Sequence, residues 1–356
     1  MKILMILHSQ ICGGAEVHAR LLMTGLQARG HEIIYAGPRG SWLATQAAAD
    51  GIEVLRVPLS GVFDVYSLAR LVQKAIAADV DLVHGHLVRG THYATLAARF
   101  SGRPSVATAH ATNSYKRFHR VDRVVAVSAA VRDFLVAHGV QPARVHTIHH
   151  GVPDHAGRRA QRAAVRAGLG LAEGDQALCM VARFVRDKGQ DLLVEAVQRL
   201  GRDDLRLFFI GETEGDWYRQ IRSQVEAARL AERVHFLGHR EDVPDLLGAM
   251  DLFLAPSRRE ALSLSIIEAA AMSLPVVAAR VGGIPEVIVD RQTGLLVPVD
   301  DSPALAEAIG QLLDDPALAE RLARAGRERY LRQFSLDAML DGHEAVYREA
   351  LQARRP

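Results

Sequence analysis

The sequence predicts an α/β protein made of two doubly wound parallel sheets, each covered by helices. Short apolar runs alternate with segments of helical period along most of the 356 residues. Several of those runs are apolar throughout instead of at every second residue, as strands buried on both faces must be. The series breaks near 153–174, where Gly, Arg and Ala replace the apolar runs, and then begins again.

In the first series, 2–8, 32–36, 54–57, 82–86, 105–109, 124–127 and 145–149 read as strands. Residues 15–29, 66–78, 91–100 and 129–138 read as helices, with Gly30 as a stop for the first. In the second series, 177–182, 205–210, 234–237, 252–255, 275–278 and 294–297 read as strands. Its helices fall at 190–200, 217–228, 243–249, 265–272, 284–288 and 303–313, and 318–355 is helical almost throughout with a bend at Phe334–Ser335. The expected domains are 1–155, joined by a last helix at about 337–356, and 156–336.

A chain of this length that is 49% hydrophobic can bury two such cores. With 24% charged residues and a net charge of +2, neither disorder nor a broad nucleic-acid footprint is indicated, and no nucleic-acid partner is expected. The charge is uneven: 1–155 carries 16 Lys and Arg against 10 Asp and Glu, whereas the rest carries 27 against 31. The first half is therefore the one suited to an acidic partner.

Cys12 and Cys179 are too isolated for a disulfide framework, which points to a reducing, cytoplasmic compartment. The apolar start is interrupted by His8, Ser9 and Gln10 too soon for a signal-peptide core, and no run reaches the ~18 apolar residues of a membrane span. Thirteen of the 16 histidines lie in 1–155, but no His-x-x-x-His face organises them with carboxylates, so no metal site is expected.

Ligands of open parallel sheets sit at the carboxyl ends of the strands, which directs attention to the loops that follow them. After the first strand, Gly13-Gly14-Ala15-Glu16 opens a helix, where glycines permit close backbone approach and amides face an anion. A tight turn alone would look the same. The Gly-x-Gly-x-x-Gly fingerprint and the Walker lysine are both absent, which disfavours a dehydrogenase and a P-loop enzyme.

Arg183 and Lys188, in Ala182-Arg183-Phe184-Val185-Arg186-Asp187-Lys188-Gly189, would converge at a strand end, where two cations suit a diphosphate. Pairing with Asp187 or Asp191 is the plainer account of them. Glu260 and Glu268 stand eight positions apart, about 12 Å along a helix and more if the segment begins as loop. One glutamate there would be read as a helix-dipole partner. Two can grip the two hydroxyl clusters of one elongated polar ligand, and Glu268, set among Ile266, Ile267 and Ala269–Ala271, needs donors to satisfy it. Val281-Gly282-Gly283-Ile284-Pro285-Glu286 adds a second anion-receptive helix start.

Taken in order, these elements resemble the retaining GT-B glycosyltransferases of family 4. Ile148-His149-His150-Gly151-Val152 and Thr293-Gly294-Leu295-Leu296-Val297 extend the similarity to nearly the whole chain. The resemblance implies two Rossmann-like domains facing across a cleft, the C-terminal one holding a nucleotide sugar, the N-terminal one receiving the acceptor, and a last helix crossing back to the first domain. It implies that Arg183 and Lys188 neutralise the departing diphosphate in place of a divalent metal, that Glu260 accepts from hydroxyls of the transferred sugar, and that Glu268 accepts from the ribose diol. Backbone at Leu262, Ser263 and Leu264 and at Gly13-Gly14 would cradle phosphate, and His110 matches a histidine that faces the donor sugar. No cofactor is implied beyond the nucleotide sugar itself, and no dedicated nucleophile, since a donor phosphate oxygen takes the acceptor proton.

Ala261 and Ser263 stand where relatives often have Gly, and Gly211-Glu212-Thr213-Glu214-Gly215 replaces a more usual loop, which weakens inference about the sugar. Asp79-Val80-Asp81 precedes a strand instead of ending one and reads as a solvated loop. The basic stretch from Tyr115 to Arg123, with Lys116, Arg117 and Arg120, suits an anionic lipid-linked or lipopolysaccharide-type acceptor at the inner membrane face, although a solvated loop would have the same composition. Glu16 is a further candidate for acceptor contact. The expected activity is hexosyl transfer from a UDP-sugar in cell-surface polysaccharide synthesis. A nucleotide-sugar 2-epimerase of the same fold and a non-catalytic sugar-nucleotide binder are the alternatives; the first would turn over donor without acceptor and the second would not turn over at all.

Overall fold

The computed structural model describes residues 1–353 and resolves into two compact units, Met1–Gly151 together with the chain from Leu336 on, and Val152–Ser335. Their boundaries fall at 151/152 and 335/336, against the 155/156 and 336/337 expected from sequence.

The first unit carries β1 (Lys2–Leu7), β2 (Glu32–Gly37), β3 (Glu53–Arg56), β4 (Leu82–His86), β5 (Ser105–Ala109), β6 (Arg123–Ala126) and β7 (Val145–Thr147). They form one parallel sheet of order β3-β2-β1-β4-β5-β6-β7. Helices α1 (Gly14–Ala28), α2 (Trp42–Ala49), α3 (Val65–Ala77), α4 (Leu87–Ser101) and α5 (Ala129–Ala137) are interleaved with them. Residues Ile3–Leu7 of β1 are all buried, because one face packs on Leu22, Met23 and Leu26 of α1 and the other on Leu71 and Ala75 of α3 and Ala94 of α4.

In the second unit, α6 (Arg162–Gly168) precedes β8 (Gln176–Val181), α7 (Gln190–Leu200), β9 (Leu205–Ile210), α8 (Gly215–Ala227), β10 (Val234–Phe236) and α9 (Val243–Ala249). There follow β11 (Leu252–Ala255), α10 (Leu264–Ala271), β12 (Val276–Ala279), α11 (Ile284–Val287), β13 (Leu295–Val297), α12 (Ser302–Asp314) and α13 (Pro316–Gln333). The parallel sheet runs β10-β9-β8-β11-β12-β13.

The last helix, α14 (Leu336–Gln352), belongs to the first unit: Met339, Leu340, Val346 and Tyr347 join the α1 core. Gly25 lets it approach, since a Cβ there would stand 2.7 Å from Leu340 Cδ1. The bend expected at Phe334–Ser335 is the break between α13 and α14, and the part of the expected helix beyond residue 353 lies outside the described residues.

Two helices were not expected. In α2, Leu43, Ala44 and Ala47 are buried among alanines that give little contrast between faces. In α6, placed in what reads as the break between series, no residue is buried. Guanidinium groups hold it instead: Arg162 donates to the Met250 carbonyl at 2.8 Å and pairs with Asp251, and Arg166 reaches Asp251 at 3.0 Å. The Asp79–Asp81 segment is also more than a solvated loop, since Asp81 accepts from the Lys2 amide at 2.7 Å and Asp79 pairs with Arg103 at 2.5 Å. Among the described residues no helix is long and apolar enough to cross a membrane.

Candidate functional sites in the two units

In each sheet the strand order reverses direction once, between β1 and β4 and between β8 and β11. That switch point is where an open α/β sheet leaves a crevice at its carboxyl edge.

In the second unit, the loops after β8 and β11 are fastened to each other through the backbone. The Asp187 carbonyl accepts from the Arg258 amide at 2.7 Å, and Gly189, at φ +74°, presses so closely on the Pro256 carbonyl that a Cβ would lie 2.3 Å from it. Gly282, at φ +55°, does the same to the Glu260 carbonyl, where a Cβ would stand at 1.7 Å. Only glycine meets both demands at these places.

The charged groups sort themselves within this frame. Arg258 takes Asp191 in a bidentate pair at 2.7 and 2.8 Å and also pairs with Asp300, so Asp191 is not the partner of Lys188. Lys188 Nζ lies 2.5 Å from Glu260 Oε2. Both line a small pocket with Ser257, Ser263 and Ser265. Arg183 is exposed, and its guanidinium makes no hydrogen bond or ion pair among the described residues. Its backbone is held by Gln190 Nε2 donating to the Arg183 carbonyl at 2.8 Å, while Trp217 Nε1 donates to Gln190 Oε1 at 3.0 Å.

Ser263 caps α10 by accepting from the Ile266 amide at 3.3 Å. The amides of Leu262, Ser263 and Leu264 donate to no acceptor among the described residues, so they are open to an anion at a helix start. Glu268 projects from α10 and likewise has no hydrogen-bond partner among the described residues; burial alone pushes its carboxyl up to about 7.

In the first unit, a cavity of about 470 Å³ opens at the carboxyl ends of β1, β4 and β5, bordered by His8, Arg89, His92, His110 and Arg117. Arg89 Nη1 donates to His8 Nε2 at 2.8 Å and to the Leu59 carbonyl at 3.1 Å. Leu87, also on its wall, holds φ at +59°, a strained conformation for a branched residue. Val62 and Val88 reach the wall from an exposed apolar rim that continues into Phe63, 91% exposed, and Val65 and Tyr66.

Behind this cavity lies a group of imidazoles that sequence spacing conceals. His18 of α1, His84 and His86 of β4, His110 after β5, His150 after β7 and His343 of α14 all pack together. Burial holds each of the six below its ordinary range, helped by repulsion from neighbouring rings for all but His343, which favours neutral imidazoles.

Comparison with known proteins agrees with this geometry. The family model for glycosyl transferases group 1 matches residues 161–329, and that for Glycosyltransferase Family 4 matches 12–155. A D-inositol 3-phosphate glycosyltransferase of Catenulispora acidiphila is 31% identical, over 86% of this chain and 83% of its own. The chain belongs to the family 4 glycosyltransferases. The glycogen synthase of Mycobacterium tuberculosis is 29% identical over 97% of this chain and 93% of its own. The solved structure of Anabaena Alr3699/HepE in complex with UDP and glucose superposes with a TM-score of 0.89 at 22% identity, covering 98% of this chain and all 100% of that one, which shows a shared GT-B fold.

In this glycosyltransferase, the residues expected around the donor fall into groups that lie in different units. Lys188, Glu260, Leu262, Ser263, Leu264 and Glu268 share the loop and helix that follow β11 or touch it, and Arg183 follows Ala182, which lines the same pocket, without lining it itself. His110 belongs to both the cavity wall and the histidine group of the first unit. The Gly13-Gly14 turn does not use positive φ: Gly13 is extended at φ −156°, and what a side chain there would meet is Glu16 Oε2, at 3.0 Å. Glu16 is itself buried in the first turn of α1 and is not on the cavity wall, which suits a helix-dipole partner better than an acceptor contact. Of the basic stretch, Arg117 reaches the cavity, while Lys116 and Arg120 are exposed outside it. The expectation that the histidines lack organisation is corrected: they converge from five elements that no helical spacing could reveal.

Proposed function

We propose that this glycosyltransferase moves a hexose-type sugar, with retention, from a UDP-sugar to a glycan or glycolipid acceptor in lipopolysaccharide or cell-surface polysaccharide synthesis. The observation that supports it is that the Lys188–Glu260 pair, the open amides of Leu262–Leu264 and the unpartnered carboxyl of Glu268 all belong to the loop and helix after β11 or touch them. A ligand with a diphosphate for the cation and the amides, and hydroxyls on either side of it for the two carboxylates, suits that set of groups.

On this reading, Lys188 leaves Glu260 for the diphosphate, joined by Arg183, and fixed cations take up the charge that develops on the leaving group without a divalent ion. Glu260, released, accepts from sugar hydroxyls, and Glu268 accepts from the ribose diol. The acceptor oxygen bonds to the anomeric carbon as the carbon–phosphate-oxygen bond breaks, and the acceptor proton passes to a phosphate oxygen. UDP is favoured by the complex of the Anabaena protein with UDP and glucose. Arg89 and Arg117 suit an anionic acceptor in the first unit's cavity, and the Phe63 rim suits a lipid tail or a peripheral contact at the inner face of the plasma membrane.

A thermal-shift panel of UDP-, GDP- and ADP-sugars tests this, since a ligand that binds only the native state raises its melting temperature with concentration. UDP-sugars are expected to raise it in the wild type and to lose the effect in Lys188→Ala and Glu268→Ala. Equal shifts in wild type and variants would refute the assignment.

A further inference from the structure

The histidine group has a property that sugar transfer does not use. One ring nitrogen from each of His18, His86 and His110 lies within 4.8 Å of one in each of the others. We propose that these three side chains form a binding site for a divalent transition-metal ion of the zinc class in the first unit, built on His18 and His86 together with the donor-facing candidate His110.

Four observations carry it. First, His86 Nδ1 and His110 Nε2 share a hydrogen bond of 3.2 Å, a separation close to the roughly 3.3 Å edge of a tetrahedral ion with metal–nitrogen bonds of about 2.0–2.1 Å, so an ion can take the place of the shared proton. Second, His18 Nε2 is buried with no hydrogen-bond partner among the described residues and is available to complete the set with that pair. A neutral imidazole offers one N–H and one lone pair, and leaving either unmet in the interior is unfavourable. Third, His18 is oriented from behind, because His150 Nδ1 shares a hydrogen bond of 2.8 Å with its Nδ1 and leaves Nε2 for another partner. An outer contact of this kind is what fixes the tautomer of a metal-bound histidine.

Fourth, His84, stacked on His86, is already satisfied on both sides by Tyr347 at 2.7 Å and Thr108 at 2.8 Å, so it supports the group without joining it. An all-imidazole set with no carboxylate selects zinc, copper, nickel or cobalt over magnesium, calcium or manganese. Three imidazole ligands leave one tetrahedral position open.

The test uses the full-length protein stripped with chelator, loaded with Zn²⁺ or Co²⁺ and passed through gel filtration. The proposal expects one metal per chain, the visible absorption of tetrahedral cobalt, and at least tenfold weaker binding in His18→Ala and His86→Ala, with His84→Gln retaining the metal. Loss of metal should leave the UDP-sugar thermal shift in place, so that failure here and failure of the donor assignment are distinguishable. Absence of retained metal in the wild type, or undiminished binding in the His18→Ala/His86→Ala double variant, overturns it. If the alanine variants do not fold by circular dichroism, anomalous diffraction from wild-type crystals grown with zinc decides: a peak at the three rings supports the site, and a peak elsewhere or none overturns it.

Discussion

Lys188 Nζ rests 2.5 Å from Glu260 Oε2, so the two groups assigned to opposite tasks are each other's counter-ion before any ligand arrives. Their side chains are 22% and 12% exposed, enough burial that neither charge is fully hydrated if the other is removed. Glu260→Ala should therefore lower stability by about 1–3 kcal/mol in chemical denaturation. If the pair exchanges partners on binding, the same variant should also lose on the order of 100-fold in kcat. A stability loss with unchanged kcat would mean that the pair is structural only.

Glu268 gives a pH dependence with a definite sign. Its carboxyl is raised from the ordinary 4.5 to about 7 by burial, so the folded chain holds that proton more tightly than the unfolded one. The stability this contributes is complete below pH 4.5 and is lost as pH rises through about 7. Glu268→Gln should then be the more stable form above pH 7, by up to about 3 kcal/mol. Donor affinity should follow the opposite course, because the diol needs the carboxylate: in the wild type it should rise between pH 6 and 8, and in Glu268→Gln it should be weak and flat. Calorimetric titration across that range checks both the slope and the proton released on binding.

Gly282 offers a mechanical test of how Glu260 is positioned. A methyl group there would both disfavour φ +55° and strike the Glu260 carbonyl, which is backbone and cannot rotate away. Gly282→Ala should destabilise by more than about 1 kcal/mol and weaken donor binding, whereas Gly40→Ala, also at positive φ but with nothing within 4 Å, should affect stability alone.

The basic and apolar features around the first unit's cavity predict selective membrane contact. Co-sedimentation with vesicles should be stronger with anionic than neutral lipid, fall with salt, and be reduced by Lys116→Glu/Arg120→Glu and by Phe63→Ser. Equal partition to both vesicle types would dispose of the idea.

Much of the fold is legible because strands buried on both faces must be apolar over a continuous run: 3–7, 207–210 and 252–255 stand out for that reason. The loops carrying Arg183, Lys188 and Glu260 are legible because strand ends are where charges can meet a ligand. The helix Arg162–Gly168 is not, since its stability comes from guanidinium groups reaching Asp251 and the carbonyls before it, far along the chain. The Arg258–Asp191 clamp and the close approaches of Gly189 and Gly282 are hidden for the same reason. His18, His86 and His110 share no periodicity at all; only the sheet order brings them together.

A crystal structure of the protein with a UDP-sugar decides how the donor is held. The diphosphate is expected at the Leu262–Leu264 amides with Lys188 turned from Glu260 toward it, Glu268 on the ribose and Glu260 on the sugar. A nucleotide sugar bound elsewhere, with the Lys188–Glu260 pair intact, would contradict it.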